Sequence, residues 1–245
     1  MRIRTRLLTL CVALLAALTP TLFVAGPADA ALPLYALHYL TLPNHKVVVL
    51  RWNPCRAHTY KVNVAAVPAA SRNAVLAETF YAMRVLAART GVPFTYRGQT
   101  AEIPQINSYA RQSAELIIAY TIPGRVGHKT NYNLAGAIAG MGGYSGGWRS
   151  VSNGVTTTYS AGISKGMLVL DTPDLMRLSP GFGAGRHRGN VLLHELGHVV
   201  GLAHVNNARE LMYPAVAAYT PNGFAAGDIA GLRRVGRPAG CIAGW

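Results

Sequence analysis

A chain of 245 residues with 51% hydrophobic content fits one domain of ordinary core size. Its 23 lysines and arginines against 9 acids give a formal charge of +14, and so few carboxylates predict no strong calcium site, because a hard cation needs several oxygen ligands. The charges are scattered singly, with no run beyond Arg233-Arg234, which excludes a recognisable nucleic-acid module and implies solubility with loose attraction to polyanionic surfaces.

The first thirty residues read as a secretory signal peptide. Arg2, Arg4 and Arg6 form a basic start, Leu7 to Ala25 is an almost unbroken apolar run, and Ala28-Asp29-Ala30 is a small-x-small cleavage signal before Ala31. A retained membrane anchor is the alternative, since the run is nearly long enough to span; Pro20, Gly26 and the A-x-A ending favour cleavage. No later stretch is apolar enough to cross a membrane. Cleavage takes the 23 basic residues to 20 and the 9 acids to 8, so the mature charge is near +12. Residues 31–245 are then one secreted domain, expected to be monomeric. Cys11 leaves with the signal, and oxidising surroundings favour a disulfide between Cys55 and Cys241 that ties the C-terminal tail to the first strand.

Residues 31–45 carry Pro33, Pro43, His38 and His45 and read as an arm or loop, its histidines solvated or packed. Lys46 to Leu50 suits a short strand, and Thr59 to Val64 alternates as a strand does. Ser71 suits an N-cap, and Val75, Leu76, Thr79, Phe80, Met83 and Leu86 mark one face of a helix over 71–90, stopped by Gly91 and Pro93. Phe94 to Arg97 and Ala114 to Thr121 read as strands, the second buried. Leu134 to Tyr144 has glycine every few residues. That suits an edge strand that something approaches closely, or else a flexible loop. Residues 145–160 read as a loop or hairpin and Met167 to Asp171 as a strand, with Asp171 and Asp174 as capping residues. A Gly/Pro loop over 178–186 leads to a helix from near Asn190 to near Gly201. Residues 215–225 read as a loop, and Asp228 caps a last helix over 228–235.

The helix near residue 195 carries the chemistry. His194-Glu195-Leu196-Gly197-His198-Val199-Val200-Gly201-Leu202-Ala203-His204 reads H-E-x-x-H-x-x-G-x-x-H. Histidines four apart project from one helix face, one turn above the other, as two nitrogen ligands of a small tetrahedral cation must. Glu195 lies beside the metal position, where a general base belongs. Gly201 can end the helix in a left-handed conformation, so that the chain turns back and His204 becomes the third ligand. Ordinary hydrogen-bonded helix histidines are the bland alternative, and three fixed histidines with a glutamate and a glycine make it a poor one.

This motif resembles that of the metzincin zinc endopeptidases. Leu211-Met212-Tyr213-Pro214 is similar to the methionine turn that metzincins place beneath the zinc, in the wording of the matrixin branch. A thermolysin-like site would need a later glutamate as third ligand, and Glu210, beside the turn, is the only one after the motif. The resemblance implies a zinc-dependent endopeptidase acting on protein or peptide substrates. It implies one catalytic Zn²⁺ on His194, His198 and His204, with Glu195 as base and Met212 in the turn. It also implies that extended substrate pairs antiparallel with the cleft-side edge strand, here along Ala135, Gly136, Ala137, Ile138, Ala139, Gly140 and Met141. The 215–225 segment would line the pocket just past the scissile bond. Region 122–133, where matrixins bind calcium and a structural zinc, offers His128 but no carboxylate. Matrixins also use a propeptide cysteine for latency, and Cys55 in that role is the rival to the disulfide, although the P-R-C-G-x-P-D wording is absent. The fold expected is α+β, metzincin-like: a twisted mixed β-sheet with two long helices, a zinc cleft, a Met-turn and an irregular C-terminal part with a final helix. A basic, cell-wall-associated zinc-binding protein with little turnover, or hydrolysis of a non-peptide wall amide, are the alternatives to an endopeptidase.

Overall fold

The computed structural model describes residues 34–245 except residue 107; the signal peptide read over 1–30 lies outside the described residues. In chain order the strands and helices are β1 (Ala36–Leu37), β2 (Tyr39–Thr41), β3 (Val47–Val49), β4 (His58–Asn63), α1 (Arg72–Thr90), β5 (Phe94–Gln99), β6 (Leu116–Thr121), β7 (Gly140–Ser152), β8 (Thr157–Asp171), α2 (Thr172–Leu175), α3 (Arg188–Val199), β9 (Leu202–Ala203) and α4 (Ala226–Val235). Five strands form one sheet in the order β5-β4-β6-β8-β7. The first four are mutually parallel and β7 runs antiparallel along the edge. This is the α+β, mixed-sheet architecture expected of a metzincin-like chain.

The local sequence accounts for the long elements. In α1, Val75, Thr79, Ala82, Met83, Leu86 and Thr90 recur at three- and four-residue spacing and are the buried set. Gly91 ends the helix at φ +68°, its N–H donating to Ala87 O, a conformation glycine adopts without a Cβ penalty. All six residues of β6 are buried, the continuous apolar pattern of a parallel strand covered on both faces. Leu116, Ile118 and Tyr120 join the main core with α1 and α3, whereas Ile117 and Ala119 face the other way. The Tyr120 hydroxyl bonds Thr79 Oγ1 at 2.9 Å, so the hydroxyl that β6 sends into that core is satisfied.

Three expectations change. The 31–45 arm contains β1, which pairs antiparallel with β9, and β2, which pairs with β3; strands this short carry no readable alternation. The edge strand begins at Gly140. Ala135, Gly136, Ala137, Ile138 and Ala139 precede it, because Asn133 Oδ1 accepts the Ala135 N–H and Gly136 turns the chain at φ +71°. The strand then runs through Ser152 and returns as the full length of β8, so residues 145–160 form a hairpin ribbon. The helices also start two residues earlier than read, α3 at Arg188 and α4 at Ala226.

Cys55 and Cys241 are joined in a disulfide, with Cα atoms 5.4 Å apart. The bond removes Cys55 from the latency role and fixes the tail beside β4. Asn53 adds to the fixing. Its Oδ1 accepts the Ile242 N–H, and its Nδ2 donates to the carbonyls of Ile242 and Trp245. Glu115 anchors the same corner, accepting from Arg56 Nη1 at 2.6 Å and Thr59 N at 2.8 Å and meeting His58 Nδ1 at 3.0 Å. Burial pushes its carboxyl up, and the bonds from His58, Thr59 and Arg56 outweigh that and hold it at about 2. Because the folded value lies below the ordinary one, its contribution is present above about pH 4.5 and is lost as pH falls toward about 2. Melting temperature measured against pH should therefore fall more steeply over that window in the wild type than in Glu115→Gln. Parallel profiles would contradict the assignment.

Candidate metal centre

The α3 backbone places His194 and His198 one turn apart. Gly201, at φ +106°, reverses the chain after the helix. The Trp52 indole N–H donates to Val199 O at 2.8 Å and satisfies a carbonyl at the helix end. Leu202 and Ala203 then pair with β1, and His204 follows directly. The result is convergence. His204 Nε2 lies 3.0 Å from His194 Nε2 and 3.0 Å from His198 Nε2. Three nitrogens on a tetrahedral ion at about 2.0–2.1 Å stand about 3.3 Å from one another, so the spacing fits zinc. No other group of three or more His, Cys, Asp or Glu side chains among the described residues forms such a cluster. His38, His128 and His187 are outside it; His38 packs edge-on against Tyr144.

The other ring nitrogens fix the tautomer. His194 Nδ1 lies 2.7 Å from Leu211 O, and His198 Nδ1 lies 2.9 Å from Leu202 O. A carbonyl only accepts, so each Nδ1 carries the proton and each Nε2 presents a lone pair to the centre. Burial holds His194 down at about 4 and His198 at about 3, and it lowers His204 as well. All three imidazoles are therefore neutral and able to ligate at neutral pH.

Glu195 is 8% exposed and points to the edge of β7. Gly142 N–H donates to its Oε2 at 2.5 Å. Burial pushes this carboxyl up to about 7, with the Gly142 bond pulling the other way, so the group is poised for proton exchange near neutrality. The strand comes this close only because positions 140 and 142, which face Glu195, are glycine. A Cβ on Gly142 would lie 2.0 Å from Glu195 O and 2.7 Å from Glu195 C. These are backbone atoms of a packed helix and cannot swing away. Gly142→Ala should therefore separate β7 from α3, cost about 1–3 kcal/mol and reduce activity sharply. Gly147→Ala in the same strand, with open space around it, should do neither. Chemical denaturation and a turnover assay on the pair check this; equal behaviour of the two variants would contradict it.

Beneath the histidines, Met212 is 1% exposed. A Cβ at Gly197 would lie 2.5 Å from its sulfur, so the glycine between His194 and His198 makes room for the turn. Asp228 fixes that turn from the last helix. Its carboxylate accepts the N–H groups of Leu211 at 2.6 Å, Met212 at 3.2 Å and Ala225 at 2.9 Å. Since Leu211 O accepts from His194 Nδ1, a chain of bonds runs from Asp228 through the turn to His194. The sequence reading missed Gly142, Gly197 and the larger part of Asp228's role. Asp228 is visible in the sequence as a helix-start residue, but its reach to Leu211 and Met212 is not. Gly142 lies in the glycine-spaced stretch that reads as closely approached, but that spacing does not say that Glu195 is what approaches it; Gly197 is marked by no local pattern.

A cavity of about 600 Å³ lies away from the triad. The candidate centre is placed at the histidines instead, where convergent lone pairs lie beside a buried carboxylate. The sequence model of the Matrixin family matches residues 156–235, a span holding β8, α3, the triad and the Met-turn. No curated protein matches the chain. Over that span the chain is matrixin-like, its triad is consistent with a metzincin zinc site, and together they support a zinc metalloprotease.

Proposed function

We propose that this chain, matrixin-like over residues 156–235, is a secreted zinc-dependent endopeptidase whose catalytic domain spans residues 31–245. The observation that carries the reading is the convergence of three Nε2 atoms beside a buried carboxylate at a sheet edge. His194, His198 and His204 would hold one Zn²⁺, and three neutral protein ligands are the number a catalytic site uses. Bound there, zinc supplies Lewis acidity, which acidifies water and polarises the scissile carbonyl. Glu195, with Oε2 held by Gly142, keeps Oε1 free to take a proton from the attacking water and deliver it to the departing amine nitrogen. Extended substrate adds antiparallel to the free edge of β7. The productive stretch is Gly140–Tyr144, next to Glu195, and not the turn at 135–139. The disulfide suits an oxidising compartment, and among the described residues no helix is long and apolar enough to cross a membrane.

Hydrolysis of an unfolded protein, with and without a chelator, tests the proposal. Cleavage should vanish on chelation and return on adding zinc. Cleavage that persists at full rate without metal would end it.

A further inference from the structure

Among the described residues, the first half of β8 has a paired strand on one side only. β7 pairs with it along its length, but β6 joins only from Gly166 onward. Ile163 N–H donates away from β7, to Arg51 O at 2.9 Å. Backbone groups alternate along a strand, so those of Ala161 and Tyr159 face the same free side. Their amides have no backbone partner there among the described residues. This edge borders the cavity of about 600 Å³, within the range of about 300–1,000 Å³ usual for ligand sites.

The rest of the lining combines apolar and cationic groups. Leu42, Val48 and Val49 supply apolar wall, and Arg51, Arg233 and Arg234 supply charge, with no aspartate or glutamate in the lining. Arg51 is engaged with the carbonyls of Ala239 and Gly240. Arg233 and Arg234 are exposed and form no ion pair among the described residues. Their place in the last turn of α4 complements the helix dipole. That accounts for two arginines at the helix end, but not for a free strand edge facing the same cavity.

We propose that this cavity is a docking site for an extended acidic peptide segment of another protein, which adds as a strand to β8 at Tyr159–Ala161. A free edge is a template for backbone pairing and alternate side chains then confer selectivity. Here carboxylates of the incoming segment meet the guanidinium forks of Arg233 and Arg234, which can bind them bidentately, while its apolar residues meet Leu42 and Val48. The inference does not depend on the zinc chemistry, so docking and hydrolysis can fail separately.

The test is fluorescence anisotropy of a labelled peptide alternating glutamate and valine, on full-length chain carrying Glu195→Gln to prevent cleavage of the probe. Binding should be saturable and weaken with salt. Alternate N-methylation of the peptide, and separately the double change Arg233→Glu with Arg234→Glu, should each weaken it by about tenfold or more, with circular dichroism unchanged in the variant. A lysine–valine peptide should not bind. Equal binding of the N-methylated peptide would overturn strand addition, and unchanged binding by the arginine variant would overturn the site.

Discussion

Replacing Glu195 with glutamine is expected to lower peptide hydrolysis by about 10²–10⁴-fold, the usual worth of a positioned general base, while zinc content stays the same. Glutamine keeps the shape of the side chain, and its carbonyl oxygen can still accept the Gly142 N–H, so the contact between β7 and α3 survives. What is lost is the ability to take a proton. The histidines are untouched, and their Nδ1 bonds to Leu211 and Leu202 keep the lone pairs aimed. Zinc analysis and turnover on the same preparation separate the two effects. Near-normal turnover would end the general-base assignment. Loss of zinc along with activity would mean that Glu195 belongs to the metal's hold and not to proton transfer.

Asp228→Ala is expected to lose about 3–5 kcal/mol of stability, because it leaves three N–H donors without their acceptor and each buried unsatisfied group costs about 1–3 kcal/mol. For a domain of this size that is roughly 10 °C in melting temperature. The loss should reach the metal, since Leu211 both donates to Asp228 and accepts from His194. Removing such an outer partner commonly weakens metal affinity by about 10–100-fold. Asp228→Asn, which keeps one oxygen acceptor, should fall between the two. A competition titration against a zinc indicator, with thermal melts, decides it. Wild-type affinity in Asp228→Ala would show that the Met-turn holds its place without the carboxylate.

The metal site was legible in the sequence because helical periodicity is a local property. Four-residue spacing puts His194 and His198 on one face whatever packs around them, and a glycine at 201 permits one kind of chain reversal. The helix over 71–90 was legible for the same reason. The edge strand was placed five residues early, since glycine spacing marks where a backbone is approached but not where the strand begins. That point was set by a side-chain turn at Asn133 and by Gly136. The short strand β1 was not legible, because it exists only by pairing with Leu202–Ala203, far along the chain. Gly142 against Glu195, Gly197 against Met212 and Asp228 against Leu211 are likewise contacts that only the folded chain creates. The disulfide was within reach of sequence because only Cys55 and Cys241 lie outside the stretch that reads as a signal peptide, which leaves one possible intramolecular pair.

The hydrolysis proposed for this chain rests on three histidines holding one zinc. X-ray absorption at the zinc edge, with elemental analysis of the purified chain, tests it most directly. One zinc per chain with three imidazole nitrogens at about 2.0–2.1 Å is expected, and a weakened site with one imidazole fewer in His204→Ala. A chain that binds no stoichiometric zinc, or a His204→Ala variant with an unchanged spectrum and affinity, would contradict it.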